Sequence, residues 1–169
     1  QHVGPYRSGG GYGMKRVFVI WIALGAVYVT LETLWRGYSH PVMLIVGGLC
    51  GVLVGAINQV PQFYRMKIVC QSLIGAGIVL AVEFVSGCAL NLWLGLAVWD
   101  YSGIPGNVLG QICPAYGLLW FAIMPPAIWA EDTARWLIWA WARLTGKPGT
   151  GPPKIPPYTL GSIYKDFIS

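Results

Sequence analysis

The sequence predicts an all-α integral membrane protein with four transmembrane helices, an outer re-entrant or interfacial loop and a cytoplasmic amphipathic helix. Three observations carry that prediction. Of 169 residues, 56% are hydrophobic and only 10% are charged, with a mean hydropathy of +0.59; a soluble domain carries about 25% charged residues. The charges are clustered, leaving apolar runs near the roughly 20 residues that a helix needs to cross a bilayer. Between Ile68 and Ala134 there is no Lys or Arg at all.

Residues 1–13 are glycine-rich and unlike the rest of the chain, whereas Met14-Lys15-Arg16 has the form of a natural start. Residues 1–13 are therefore expected to be a foreign appendage or a disordered lead without function. No cleaved signal peptide is expected, because the first apolar run is too long and lacks a small-residue cleavage site. The first span runs from about Arg16 to Trp35 and is closed by Arg36, Gly37 and Pro41. The second covers about Pro41 to Val60, and the third about Met66 to Gly87. The fourth begins after Pro105-Gly106-Asn107 and runs from Val108 to about Pro125. Residues 14–130 thus form the membrane domain. Residues 131–145 read as an interfacial helix carrying Trp136, Trp139 and Trp141, with Glu131 and Asp132 at its positive end and Arg143 at its negative end. Residues 146–169, rich in Pro and Gly, read as an extended cytoplasmic tail.

Charge placement orients these spans. Ten of the eleven Lys and Arg precede the first span, separate the second from the third, or follow the fourth; Arg36 alone lies on the other side. The positive-inside rule then puts both termini in the cytoplasm, with four crossings of the plasma membrane. The net charge of +5 accordingly reads as anchoring at anionic headgroups, not as nucleic-acid binding. Cys50, Cys70, Cys88 and Cys113 lack metal-type spacing and read as small hydrophobes, with a Cys88–Cys113 disulfide as an option on the outer side. His2 and His40 form neither a metal set nor a nucleophile–base pair, and no glycine loop is built to cradle phosphate. No enzyme activity, catalytic residue, metal or cofactor is expected.

Polar residues inside the spans are the functional lead. A carboxylate in a membrane helix costs about 2.5–3.5 kcal/mol at the centre, and Glu83 sits within Ile-Val-Leu-Ala-Val-Glu-Phe-Val. Glu32 and Arg36, four apart, share a helix face that Tyr28 extends. Glu32, Arg36 and Glu83 are expected at similar depth, with Asn91, Asp100, Asn107 and Gln111 arriving from the loop and the next helix. This set is the candidate ligand-binding cluster, suited to a small cationic or zwitterionic solute or to a proton relay. The alternative is a structural knot, in which Arg36 satisfies both carboxylates and the amides cap the loop. Gly47, Gly51 and Gly55 form a small-residue row for close helix packing, within the chain or between copies. Short matches between Ala26–Glu32 and Gly77–Glu83 also raise the option of two duplicated hairpins.

One block resembles a known group. Glu83 to Cys113, with its Trp99-Asp-Tyr-Ser102 core, together with Leu118 to Phe121, resembles the bacterial membrane family labelled "putative ABC transporter type IV". Ile45 to Cys50, Gly55 to Asn58 and Pro157 to Tyr164 are also similar to it. The resemblance implies a small permease-like transport protein and supplies no binding residues. It also implies that any ATP coupling comes from a separate ATPase. Four short spans enclose little volume, so a homo-oligomer or association with other membrane subunits is expected alongside the lipid bilayer. The competing expectation is a non-transporting structural or accessory membrane protein.

Overall fold

The structure, a computed structural model, describes residues 14–57, 60–64 and 66–146. Among them every regular element is helical, and a bridge between Val108 and Ile112 is the one β-type pairing. Helix α1 spans Met14–Arg36, α2 Met43–Ile57, α3 the single turn Pro61–Tyr64, α4 Ile68–Gly87 and α5 Pro114–Leu144. The expected appendage at 1–13 and all but the first residue of the 146–169 tail lie outside the described residues.

Among the described residues two helical stretches are long and apolar enough to cross a membrane, Val17–Arg36 and Ile68–Trp93. α2 is as apolar but has 15 residues. α5 has 31 residues, but Pro125, Pro126, Glu131 and Asp132 dilute its hydropathy. The sequence places a break at Pro125-Pro126, between a fourth span and a separate amphipathic helix. The structure instead carries one helix through both prolines. Each proline removes an intrahelical donor and normally kinks a helix. Here Met124 and Ile128, which flank the pair, are 4% and 1% exposed and pack in the core. Tertiary packing on both sides of the prolines holds the helix together.

α1 and α2 pack antiparallel along small residues. Gly47, Gly48 and Gly51 of α2 face Tyr28, Trp21 and Leu24 of α1, and Gly25 of α1 meets the Leu44 carbonyl. A Cβ at Gly48 would fall on the Trp21 ring, and one at Gly25 on the Leu44 backbone. Trp21 Nε1 donates to the Ile45 carbonyl at 2.9 Å. The glycine row therefore serves a contact within the chain, and Gly55 is buried on the same helix. Close backbone approach of this kind drives association where lipid leaves little hydrophobic force. In the second hairpin Gly75 of α4 accommodates Met124 of α5, and Gly117 lies against Leu80.

Two clusters fill the interior. Cys50 and Val54 of α2, Ile68, Ala76 and Val79 of α4, and Met124 and Ile128 of α5 form the first. At the other end, Met43 and Val46 of α2 meet Val98 and Trp99 of the loop after α4, with Tyr28, Val82 and Tyr101 packed against them. The loop thus plugs one end of the bundle, the loop end. α1 keeps its opposite face bare, with Phe18, Val19, Leu31, Leu34 and Trp35 all exposed. An apolar face of that extent belongs against lipid or protein, not water.

Candidate functional site

At the loop end, two carboxylates sit in different settings. Glu32 lies in the last turns of α1, so Arg36, one turn later, shares its face. Arg36 Nη1 contacts Glu32 Oε1 at 2.7 Å. Gly37, at φ +82°, ends the helix in the left-handed region and turns the chain back. Ser39 Oγ then donates to Glu32 Oε2 at 2.5 Å. Arg36 is itself shared: Nη2 donates to the Tyr38 hydroxyl at 2.9 Å, and the guanidinium carbon lies 4.9 Å from the Tyr38 ring centroid. Both Glu32 oxygens are satisfied and its charge is paired.

Glu83 is more deeply buried, 3% exposed, near the end of α4. Its Oε2 accepts from Trp120 Nε1 of α5 at 3.0 Å. The Trp120 ring stacks on Tyr28 of α1 with centroids 5.9 Å apart, and Tyr28 is the ring that lies over Gly47. Arg36 forms no ion pair with Glu83; its donors go to Glu32 and Tyr38. Tyr101, from the loop, stacks on Tyr116 of α5 at 4.5 Å. Burial, then the Glu83 carboxylate and Tyr116, push the Tyr101 phenol above its ordinary pKa, while Arg36 pulls the other way. Tyr101 thus lies in the fields of both Glu83 and Arg36.

The loop amides hold the loop rather than either carboxylate. α4 widens into a π-helical turn, Cys88–Trp93, and such turns recur at functional sites. Asn91, within it, donates to the Trp99 carbonyl at 3.0 Å and to Gln111 Oε1 at 2.7 Å, and accepts from Val98 N at 2.7 Å. Gln111, 3% exposed, donates its side-chain amide to the Leu109 carbonyl, and its backbone carbonyl accepts from Trp99 Nε1. Gly87 makes room for this: a Cβ there would sit 2.5 Å from Gln111 Oε1. Asn107 ties the Ser102 and Ile104 carbonyls to the Gly110 amide. Asp100 is fully exposed and accepts from the Ser102 amide and hydroxyl, which hold its carboxyl below the usual range. Cys88 and Cys113 are free thiols, so no disulfide braces the loop.

The seven predicted ligand residues therefore divide into three groups. Glu32 and Arg36 pair with each other. Glu83 stands with Trp120, Tyr28 and Tyr101. Asn91, Asn107 and Gln111 are spent on the loop backbone, with Asp100 on its rim. Among the described residues no group of His, Cys, Asp and Glu is arranged to hold a metal.

The model of the family described as "Putative ABC-transporter type IV" matches residues 11–131, well over half of the chain. The chain belongs to this family. No curated protein and no solved structure matches it. The type IV family description and the two apolar helices together place the protein at a membrane and give it a transport-related role.

The hydrogen-bond partner of Glu83, Trp120, and the neighbouring loop ring, Tyr101, are absent from the sequence-derived cluster. Both stand in the blocks that carry the family resemblance. Their aromatic character resembles ordinary apolar filling, and their separation from Glu83 hides the contact. An indole N–H in an apolar helix is the one usable signal, because a buried Trp usually finds an acceptor.

Proposed function

We propose that this protein crosses a bacterial plasma membrane four times, with both termini cytoplasmic, and serves transport by binding a small solute at Glu83. In that orientation the loop end is the outer-leaflet end. The observation that supports the reading is a deeply buried carboxylate held by a neutral donor, Trp120. Arg36 is already committed to Glu32. An intramembrane acid without a basic partner is a functional-site candidate, because burying charge for structure alone is costly. A homo-oligomer or other membrane subunits would complete the enclosure, and a separate ATPase would supply energy if ATP drives movement. The chain is read as a non-enzyme.

A second reading, a non-transporting accessory subunit, is favoured by the mutual satisfaction of Asn91, Gln111 and Asn107 within the loop. Glu83→Gln separates the two. On the transport reading, purified Glu83→Gln protein keeps its helical circular dichroism and its elution profile but loses Glu83-dependent solute binding. On the accessory reading no solute binding depends on Glu83, and the variant is damaged in folding or in assembly.

A further inference from the structure

We infer that the Glu83 site takes a small organic cation, one bearing a quaternary or otherwise apolar-shielded positive centre. This deepens the proposed function and rests on Glu83 being a solute site. Four observations lead to it. Only one Glu83 oxygen is engaged; among the described residues Oε1 has no hydrogen-bond partner. Trp120 of α5 donates to that carboxylate, Tyr28 of α1 stacks on the Trp120 ring, and Tyr101 of the loop packs with Tyr28 and Val82, the neighbour of Glu83, against one core cluster. The phenol oxygens of Tyr28 and Tyr101 also lack hydrogen-bond partners among the described residues. None of these three oxygens is among the unpartnered atoms sealed from the surface.

The chemistry then discriminates between solutes. An anion would meet the Glu83 carboxylate, and Arg36 is already paired with Glu32 and so gives it no free positive charge. A sugar-like neutral solute needs many donors and acceptors, and the nearby amides of Asn91, Asn107 and Gln111 are consumed by the loop. What remains is one carboxylate amid aromatic groups, and a cation gains from both. Aromatic faces attract cations through the ring quadrupole, more strongly once the cation is desolvated. A heavily hydrated metal ion would gain less, because the described residues offer no set of His, Cys, Asp and Glu ligands.

The test uses purified full-length protein in nanodiscs and two ions of nearly equal size and opposite charge, tetraphenylphosphonium and tetraphenylborate. Tetramethylammonium serves as the compact cation and triphenylphosphine oxide as the neutral probe. Binding is read by equilibrium dialysis as the difference between wild-type and Glu83→Gln nanodiscs, which removes partitioning into lipid. The inference expects saturable binding of at least one cation, weakened at least tenfold by Glu83→Gln, and no Glu83-dependent binding of the borate or the oxide. Tyr28→Phe should keep cation binding within about twofold, whereas Tyr28→Leu should weaken it roughly five- to thirtyfold. These Tyr28 variants keep the inference open to refutation if Glu83→Gln does not fold. Glu83-dependent binding of the borate or the oxide overturns the cation class while leaving Glu83 as a solute site. The absence of Glu83- or Tyr28-dependent binding for every probe overturns both.

Discussion

The two hairpins each deliver a glutamate to the loop end, and they treat it in opposite ways. In α1–α2 the acid is neutralised locally: Arg36 lies one turn along the same helix, and Ser39 comes just past the turn at Gly37. In α4–α5 the acid is more deeply enclosed, and its donor, Trp120, lies 37 residues away on another helix. The first arrangement closes a charge; the second leaves one carboxylate oxygen without a donor among the described residues. The difference teaches that depth and residue type do not by themselves mark a site. What matters is whether the partner is a full counter-ion or a neutral N–H.

This contrast can be broken by substitution. The largest effect is expected from Arg36→Met, which strands the Glu32 carboxylate. Loss of roughly 2–3 kcal/mol is expected, somewhat below the cost of breaking a fully buried pair because the guanidinium is partly exposed. Thermal unfolding in detergent would measure it, and Glu32→Gln in the same chain should recover most of the loss. Trp120→Phe keeps a ring against Tyr28 but removes the Glu83 donor. A cost of about 1.5–2 kcal/mol is expected, the lower part of the range for a hydrogen bond to a charged group.

Glu83→Gln is expected to cost less than about 1 kcal/mol, because the amide oxygen can still accept from Trp120. A Glu83→Gln protein as unstable as Arg36→Met would erase the contrast and make both acids structural. The smallest effect belongs to Asp100→Ala on the loop rim. Because Ser102 lowers the Asp100 pKa in the folded protein, its stabilisation is fully present above the ordinary aspartate value of about 3.9 and is lost as the pH falls through the lowered one. The gap in unfolding midpoint between wild type and Asp100→Ala should therefore narrow on acidification. A gap that widens would remove that assignment.

Some of this was legible residue by residue. The Glu32–Arg36 pair follows from i, i+4 spacing alone, and the close packing at Gly47 and Gly51 follows from their four-residue interval. Glu83 stands out because nothing near it in sequence is basic. Local spacing could not reveal that Asn91 and Gln111, twenty residues apart, bond to each other. Nor could it show that Pro125 and Pro126 lie inside a helix, since a proline pair reads as a break until its packing is known.

By itself the sequence determined the all-helical class and the identity of the acids, because these depend on composition and on contacts within one or two turns. Only the tertiary structure decided what Glu83 meets, because which ring of α5 faces α4 is a long-range packing outcome. Arg36 was one turn from Glu32 and so was taken; Glu83 received the indole that antiparallel packing of α4 and α5 placed beside it.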